Sequence, residues 1–354
     1  MVGRLLLWCL CWGLSVEPMW GQRLFRVISY NVENLFDTRD NPDTDDQDFL
    51  PDAPRHWTHG RYYHKLQQIA KVITAAGEWD EPALIGLCEV ENDSTLHHLC
   101  HLTPLRRQAY RYVLSQTNDP RGIRVALLYQ RAQFALIGQE SLFIPFKDRK
   151  KRSRPLLHVW GRVVTGDTLD LFVCHFPSRA GGYNSDSYRL EAATHLRRAC
   201  DSLFQRRQDP HLLLMGDFND GPTDRSLVKG LRAQPFTGLL GEQRADTLAL
   251  YNLFATKRRG QPEGSHKYHG DWSQLDHFLV DGSLLRPSSA IRLHPEGIRI
   301  YAADFLFTED KTYYGRRPKR SYYGFKYEGG FSDHLPLVVD FYLHLPAEKE
   351  NTAE

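Results

Sequence analysis

The sequence lacks three features that would restrict its function at once: a large net charge, a cysteine framework and a long apolar segment beyond its N-terminus. Its 354 residues contain 45 Lys and Arg against 43 Asp and Glu, a formal net charge of +2. This balance excludes the strongly basic composition of a stable nucleic-acid binder, so a polyanionic partner would have to meet a local positive patch. No segment after the N-terminus is apolar for long enough to cross a bilayer.

The cysteines do not form a metal-binding signature, because no CxxC spacing that would indicate zinc is present. Two of the six, Cys9 and Cys11, lie in the apolar N-terminal run, and the other four are Cys88, Cys100, Cys174 and Cys200. A chain of this length folds without disulfides, so we expect these four to be buried free thiols. If they were oxidised, the three possible pairings would stay open.

The N-terminus predicts an export signal. Residues 1–4 supply one positive charge, residues 5–16 are apolar, and small or polar residues follow near Gly21. This is the pattern of a secretory signal peptide, and the apolar run is short for a membrane span. We therefore expect residues 1–21 to be removed and the protein to be exported, periplasmic or secreted. An uncleaved anchor is the alternative, and a lipoprotein is disfavoured because the early cysteines lie inside the apolar run.

Short apolar strands alternate with a few amphipathic helices along the rest of the chain. Runs rich in Val, Ile, Leu and Phe predict strands at residues 24–30, 83–88, 125–129, 156–164, 169–174, 212–215, 275–280 and 335–341. Helical spacing of apolar residues predicts helices at 61–76 and 187–204, and His97, His98 and His101 fit an ordinary helix.

The remaining segments read mostly as loops. We expect a surface excursion at residues 37–59, a basic hairpin tip at 147–154, a strand at 142–146, and exposed side chains for His266 and His269. Strands scattered to both ends with helices between them fit one α/β sandwich better than two domains. We therefore expect a single domain at 22–345 and a polar tail at 346–354.

Six stretches place chemically capable side chains at the end of an apolar strand or inside it. They are SYNVEN (29–34), LCEVEN (87–92), VCHFPSR (173–179), MGDFND (215–220), SQLDHFLV (273–280) and FSDHLPL (331–337). A single acid at a strand end is usually a cap or turn residue. Six such stretches with acids, amides and histidines weaken that interpretation, since buried acids are costly unless they are paired or bind a metal.

In this order the motifs SYNVENLF, LCEVEN, HFPSR, GDFND, LDHFLV and SDHLPL resemble those of the endonuclease/exonuclease/phosphatase superfamily, the DNase I-like hydrolases. The resemblance extends from about residue 26 to 341. It implies an α/β (α+β) four-layer sandwich, with two mixed, mostly antiparallel β-sheets packed face to face and helices outside. The active site would lie at the edge where the strand ends meet.

The resemblance implies that three residues hold the metal: Glu89, Asn31 and Asp333. Glu89 is preferred over Glu91 because it follows the strand directly, although Cys88 stands where the family has a Gln. Oxygen ligands suit Mg²⁺, or Mn²⁺, far better than zinc. Such an ion offsets the negative charge of a phosphoryl group and stabilises the leaving oxygen.

The resemblance also implies the catalytic groups. Asp217 would deprotonate the attacking water, while Asn219 and His175 would contact the phosphate. A carboxylate behind a histidine fixes its tautomer and stabilises its protonated form, so Asp276 would orient His334.

Substrate contacts are less well determined by the sequence. We select Arg179, Tyr183, Asn184 and Glu33 as substrate-binding residues; Glu33 could equally be a supporting or surface residue. The segment 313–323 interleaves cations with tyrosines and could bind phosphates and bases, or could be an exposed hairpin without a ligand.

Three functions remain open at this point. The favoured one is hydrolysis of phosphodiester bonds in nucleic acid, DNA or RNA, by in-line attack of an activated water. The second is a phosphatase or phosphodiesterase for small organic phosphates or lipid head groups, such as inositol phosphates or sphingomyelin. The third, a non-enzymatic binding module, would predict eroded catalytic positions. We expect a monomer without an obligate protein partner.

Overall fold

The computed structural model describes residues 22–179, 182, 184–238 and 245–345. The expected export signal at 1–21, the tail at 346–354 and Tyr183 lie outside the described residues. Within those residues, no helix combines the length and the apolar character needed to cross a membrane.

The helices stand close to where the apolar spacing predicts them. The α-helices are α1 (His59–Gly77), α2 (Asp93–His101) and α3 (Ser185–Arg206). Short 3-10 helices occupy Gln47–Phe49, Pro104–Gln108, Gly282–Leu285, Pro295–Gly297 and Asp304–Leu306, and a single π-helical turn spans Ser226–Gly230.

The strands of the described residues are numbered here in chain order. They are β1 (Gln22–Leu35), β2 (Leu84–Val90), β3 (Arg111–Leu114), β4 (Arg124–Tyr129), β5 (Phe134–Leu142), β6 (Leu156–Val163), β7 (Thr168–His175), β8 (Leu212–Asp217), β9 (Gln234–Pro235), β10 (Leu250–Asn252), β11 (His266–Tyr268), β12 (Asp271–Ser273), β13 (Asp276–Asp281), β14 (Ile291–Leu293), β15 (Arg299–Ile300), β16 (Phe307–Glu309), β17 (Arg316–Pro318), β18 (Tyr322–Tyr323), β19 (Lys326–Tyr327) and β20 (Leu337–His344).

Two large mixed sheets form the α/β sandwich that the motifs predict. The first has the order β14-β20-β1-β2-β4-β3, with β15 also paired to β20, and the second has the order β5-β6-β7-β8-β13-β10-β9. The pairs β1–β2, β7–β8 and β9–β10 are parallel, and the other neighbours in these sheets are antiparallel. Parallel neighbours matter for the site, because their carboxyl ends lie at the same edge of a sheet.

The inner faces of the two sheets share one apolar core, and the helices cover the outer faces. Met215 of the second sheet lies against Gly86 of the first, and it belongs to the same buried cluster as Val27 and Leu84. Helix α1 packs Leu66, Ile69 and Ile73 against the first sheet, and α3 packs its apolar side against β7 and β8. The four cysteines beyond the N-terminal run are buried and unpaired, as expected.

Two of the loop expectations have different outcomes. Residues 147–154 lie in the connection of the antiparallel pair β5–β6, as the hairpin interpretation predicts. The prediction of a strand at 142–146 is wrong, because β5 ends at Leu142. The next antiparallel pair after Leu142–Leu156 would set Phe143 opposite Pro155, which has no N–H to donate to the ladder.

Gly216 allows the end of β8 to lie close to β7. Its φ is +134°, and a Cβ built at this position would lie 1.9 Å from the carbonyl oxygen of Cys174. No side chain fits in that space, and the conformation itself is one that L-residues rarely adopt. Gly216 therefore sets the position of the residue that follows it, Asp217.

We predict that Gly216→Ala lowers the free energy of unfolding by about 2 kcal/mol or more, because the methyl group must push β7 and β8 apart. Gly166→Ala is the matched control: its φ is also positive, +96°, but a Cβ there meets nothing within 4 Å. Backbone strain alone should cost about 1 kcal/mol. Urea unfolding measures both variants, and equal losses would contradict the role assigned to the close approach.

Candidate active site

Three neighbouring strands of the second sheet present a row of polar side chains. The ladder pairs His175 of β7 with Asp217 of β8, and Asp217 with Asp276 of β13. All three side chains are almost completely buried. Because three strands are in register at this edge, Asp217 stands between two residues that are 101 positions apart in the sequence.

The first sheet contributes Asn31 and Glu89 from the ends of its parallel strands β1 and β2. Irregular pairing follows Asn31 in β1 and Cys88 in β2, and Glu33, Asn34 and Glu89 all have positive φ. Such strained positions cluster at functional sites. Here they turn the backbone so that the Asn34 N–H donates to Glu89 Oε2 at 2.7 Å.

Asn31 joins the two sheets at this edge. Its amide nitrogen donates to Asp217 Oδ2 at 3.1 Å and lies 3.4 Å from Glu89 Oε1, while its Oδ1 accepts from the Glu33 N–H at 3.0 Å. The amide nitrogen, not the oxygen, therefore faces the two carboxylates. Asn31 holds Glu89 and Asp217 in one place, which differs from the oxygen-ligand role expected from the motifs.

Asp217 is held from its own strand end as well. The Asn219 N–H donates to Asp217 Oδ1 at 2.8 Å, and the Asn219 amide nitrogen donates to Phe176 O at 3.0 Å and contacts Asp217 Oδ2 at 3.3 Å. A left-handed backbone at Asn219, with φ of 52°, makes this geometry possible. Burial raises the pKa of Asp217 to about 7, with a further contribution from the Asp276 carboxylate and an opposing one from His334. A carboxylate with this pKa can accept a proton near neutral pH.

His334 forms the dyad with Asp276 that the motifs predict. Its Nδ1 donates to Asp276 Oδ2 at 2.7 Å, and the Ser265 hydroxyl donates to the same oxygen at 2.5 Å. Burial would lower the pKa of His334, but the carboxylates of Asp276, Asp217 and Asp333 outweigh that effect and raise it well above its usual value. His334 is therefore a cation, with Nε2 3.9 Å from Asp217 Oδ2.

His175 has the opposite electrostatic character. Burial lowers the pKa of His175 well below its usual value, and the nearby Arg154 and Arg121 add to this effect. Its Nε2 lies 3.6 Å from Asp217 Oδ2 and 3.9 Å from Glu89 Oε1. Its Nδ1 is buried and has no hydrogen-bond partner among the described residues. The Nε2 side of the ring therefore faces the carboxylates of the cleft, while the Nδ1 side is turned into the protein.

Asp333 belongs to an ion-pair network. Its Oδ2 accepts from Arg320 at 2.8 Å, and Arg320 also donates to Glu33 Oε1 at 3.0 Å. Although burial would raise it, the pKa of Asp333 is held well below its usual value by Arg320, His334 and other cations. Glu33 is buried and also accepts from the Ser321 N–H at 2.7 Å. Glu33 thus positions Arg320, which favours the supporting role over direct substrate contact.

Most of these groups line one cleft of about 850 Å³. Of the predicted site residues, the cleft wall includes Glu89, His175, Arg179, Asp217, Asn219, Asp333 and His334. Asn31 and Asp276 lie directly behind that wall, in contact with Asp217 and His334 respectively. Asn184 is exposed just before α3 and is not part of the cleft wall.

Arg179 lies at the cleft but is already engaged. Its Nε donates to Asn219 O at 2.9 Å and its Nη2 to Asp224 Oδ2 at 2.7 Å. The arginine therefore fixes the backbone of Asn219 while its half-exposed guanidinium contributes positive charge to the cleft.

The sequence did not indicate that Lys65 and Arg154 belong to the site, and the prediction for His266 differs from the structure. The expectation that His266 is solvent-exposed is wrong: its side chain is 14% exposed, and its ring stands 4.6 Å from that of His334. Lys65 of α1 is buried, and its Nζ donates to Ser321 Oγ at 2.6 Å and lies 3.8 Å from Glu33 Oε2. Arg154 donates to Asp119 and to Phe176 O beneath the cleft. The one sequence feature that could have indicated these contacts is Lys65 itself, because a lysine there occupies an apolar position of the helical pattern.

The donor set of the cleft fits a hard divalent cation. Glu89 and Asp217 stand together beside a neutral His175, and no Lys or Arg lies within 4.0 Å of either carboxylate among the described residues. Asp333 differs, because Arg320 already neutralises it. Glu89 is therefore the residue that would hold Mg²⁺ or Mn²⁺, with Asp217 beside it. Asp333 is less suited to bind the ion directly, because its charge is already paired with Arg320.

Comparison with known proteins agrees with this architecture. The model of the Endonuclease/Exonuclease/phosphatase family matches residues 26–343. No curated protein is a significant match.

Similar solved structures include three proteins with the same fold. An endonuclease/exonuclease/phosphatase family protein from Bacteroides thetaiotaomicron has 15% identity and a TM-score of 0.56, over 92% of this chain and 99% of that one. A mannosyl-6-phosphatase from the same organism has 16% identity and a TM-score of 0.55, over 90% and 99%. TDP2 from D. rerio, in complex with a single-strand DNA product, has 13% identity and a TM-score of 0.52, over 90% and 98%.

At these identities the structural likeness establishes the shared fold, while the family model covers nearly all of the described chain. The protein therefore belongs to the endonuclease/exonuclease/phosphatase family, whose members hydrolyse phosphoric esters.

Proposed function

We propose that this protein is a divalent-metal-dependent phosphodiesterase that cleaves nucleic acid by in-line attack of water. The observation that carries the proposal is the convergence of Asp217, Glu89 and His334 on one cleft. Asp217 has a pKa of about 7, Glu89 has no Lys or Arg within 4.0 Å among the described residues, and His334 is a buried cation.

The side chains divide the chemistry between them. Asp217 accepts the proton of the attacking water, and Asn219 and Asn31 hold the carboxylate in place for that transfer. The protonated His334 donates to a phosphoryl oxygen where negative charge develops, and Asp276 keeps it protonated. His175 Nε2, which faces the Asp217 and Glu89 carboxylates, would donate to a second phosphoryl oxygen. A divalent cation bound at Glu89 would supply Lewis-acid stabilisation of the phosphoryl group.

The walls of the cleft favour a polyanionic strand over a small phosphate. Arg121, Lys151 and Arg152 line the cleft beyond the catalytic groups. Lys151 packs its ammonium over the Tyr188 ring, and Arg152 donates to the main-chain carbonyls of Arg149 and Lys151. These cations make the cleft wall locally positive, although the net charge of the whole protein is only +2. A substrate with several phosphates requires such a local positive surface.

Hydrolysis of small organic phosphates or lipid head groups is the alternative. The similar fold of a mannosyl-6-phosphatase is consistent with such a substrate. The choice depends on the loops around the cleft, which determine substrate preference in folds that serve many functions. The expected export of the protein, periplasmic or secreted, and its monomeric state also remain proposals.

A substrate panel tests the proposal. With Mg²⁺ present, we expect the purified protein to digest plasmid or single-stranded oligonucleotide and to cleave bis-p-nitrophenyl phosphate faster than inositol phosphates or mannose 6-phosphate. The positive cleft wall is the physical reason, because it stabilises neighbouring phosphates of a strand. Release of phosphate from the small esters alone, with nucleic acid intact, would contradict the nuclease assignment.

We predict that Asp217→Asn and His334→Ala each lower kcat by about a hundredfold or more, since each removes a group that acts on a proton or charge in the transition state. Circular dichroism should show a folded protein in both cases. Asp281→Asn is the matched control: Asp281 is equally buried and accepts from the Leu212 and Ser283 N–H groups at the far end of the same sheet. Wild-type kcat from either site variant would show that the catalytic assignment is wrong.

We also predict that Glu89→Gln raises the Mg²⁺ concentration for half-maximal activity by about tenfold or more, because the neutral amide loses the charge that attracts the ion. Glu91→Gln is the control on the same segment, since its buried carboxylate accepts from the Asp37 N–H and is not part of the cleft wall. Activity measured across a Mg²⁺ titration, after removal of metal with EDTA, distinguishes the two. Identical titration curves for Glu89→Gln and wild type would remove Glu89 from the metal site.

A further inference from the structure

A series of aromatic rings leads from the catalytic histidine to the rim of the cleft. The ring centroids of His334 and His266 are 4.6 Å apart, and those of His266 and Tyr268 are 6.4 Å apart. Tyr268 then stacks on His269 at 4.0 Å, and His269 on Tyr313 at 5.6 Å, with interplanar angles of 13° and 25°. We call Tyr268, His269 and Tyr313 the aromatic shelf.

The shelf is exposed although its rings are large. Tyr268 is 63% exposed, Tyr313 is 40% exposed, and the adjacent Tyr314 is 84% exposed. Tyr268 also lines the cleft itself. Contiguous exposed aromatic surface beside a polar cleft is characteristic of a binding site, because leaving it in water costs free energy that a ligand can recover.

The shelf is held in place by its own contacts. Strands β11 and β12 form a hairpin whose turn contains His269 and Gly270, both with positive φ. A Cβ on Gly270 would lie 3.1 Å from the Tyr313 side chain, so that tyrosine packs directly on the turn. Lys267 donates from Nζ to Asp310 Oδ2 and to Tyr314 O, both at 2.9 Å, which ties the two loops together.

The hairpin is also fastened to the catalytic groups. His266 forms a backbone bridge with His334, and the Leu335 N–H donates to Ser265 O at 2.7 Å. The Ser265 hydroxyl donates to Asp276, the residue that orients His334. A ligand stacked on the shelf is thus positioned relative to His334 by one continuous set of contacts.

We propose that the aromatic shelf stacks unpaired bases of a single-stranded nucleic acid whose scissile phosphate lies at His334. The cations Arg121, Lys151 and Arg152, elsewhere on the wall of the same cleft, contact the neighbouring phosphates. This combination of stacking rings and a positive groove suits single strands, whereas the bases of a duplex are already stacked on each other. The inference rests on the proposed function and adds the substrate class and the residues that select it.

Binding to a catalytically disabled protein tests the shelf separately from hydrolysis. The Asp217→Asn variant is titrated into a fluorescein-labelled twelve-nucleotide single strand and into an abasic strand of the same length, with fluorescence anisotropy as the readout. Both strands carry the same phosphates, so their difference in Kd reports on the bases. We expect the base-bearing strand to bind at least about fivefold more tightly, in line with typical stacking contributions.

Adding Tyr268→Ala to that variant should remove most of this difference by weakening the base-bearing strand alone. Tyr63→Ala is the matched control, because Tyr63 is 41% exposed, belongs to another aromatic cluster and is not part of the cleft wall. Equal binding of the two strands, no binding of either, or an undiminished preference after Tyr268→Ala would each contradict the proposal that the shelf stacks bases.

Hydrolysis by the wild-type protein on the same two strands tests the proposed function independently. Cleavage of both strands at equal kcat/KM would support the nuclease and contradict the shelf. Base-dependent binding without any cleavage would support the shelf and contradict the nuclease. A sugar ring could also stack on tyrosine, so binding of mannose 6-phosphate that is lost with Tyr268→Ala, together with no binding of either strand, would assign the shelf to a carbohydrate ligand and overturn the nucleic-acid inference.

Discussion

The hydrogen bond from the Asn31 amide to the Asp217 carboxylate is the contact on which the site depends, because it joins the two sheets at their shared edge. Glu89 comes from one sheet and Asp217 from the other, and like charges would separate without a donor between them. Gly216 permits the same approach from the side of the second sheet, where its missing side chain leaves room for the Cys174 carbonyl. The distance between the two acids therefore depends on how the two sheets pack, because any displacement of one sheet relative to the other also moves the acids apart.

The buried ionisable side chains of the cleft differ in charge because each one has a different partner. Asp276 stabilises a cationic His334, whereas burial, with a smaller effect of Arg154, lowers the pKa of His175 and keeps it neutral. Asp333 is neutralised by Arg320, but Glu89 and Asp217 have no Lys or Arg within 4.0 Å in the described part of the chain. The result is one pair of acids that favours a cation, surrounded by donors that favour a phosphoryl group.

The sequence allowed the strand-end residues to be predicted, because an apolar run followed by Asp217 and Asn219, or by Glu89, is a local pattern. The two-sheet sandwich and the Asp276–His334 pair followed from the resemblance of the ordered motifs. The shelf and its anchor could not be predicted. His266 is buried by His334, 68 positions away, and nothing near it in the sequence signals that contact. The segment after Leu142 is apolar enough to predict a strand, but the ladder ends where Phe143 would stand opposite Pro155, a pairing that the local pattern does not reveal.

If strand ends from the two sheets form one site for a divalent cation and a phosphoryl group, both should bind in the same cleft. Anomalous diffraction from crystals of the protein soaked with Mn²⁺ and a non-hydrolysable phosphorothioate oligonucleotide locates both groups. We expect an anomalous peak in the cleft within about 2.5 Å of a Glu89 carboxylate oxygen, with a phosphoryl group between that peak and His334. A cleft without a peak, while Mn²⁺ occupies acids elsewhere on the surface, would show that these strand ends do not form a metal site.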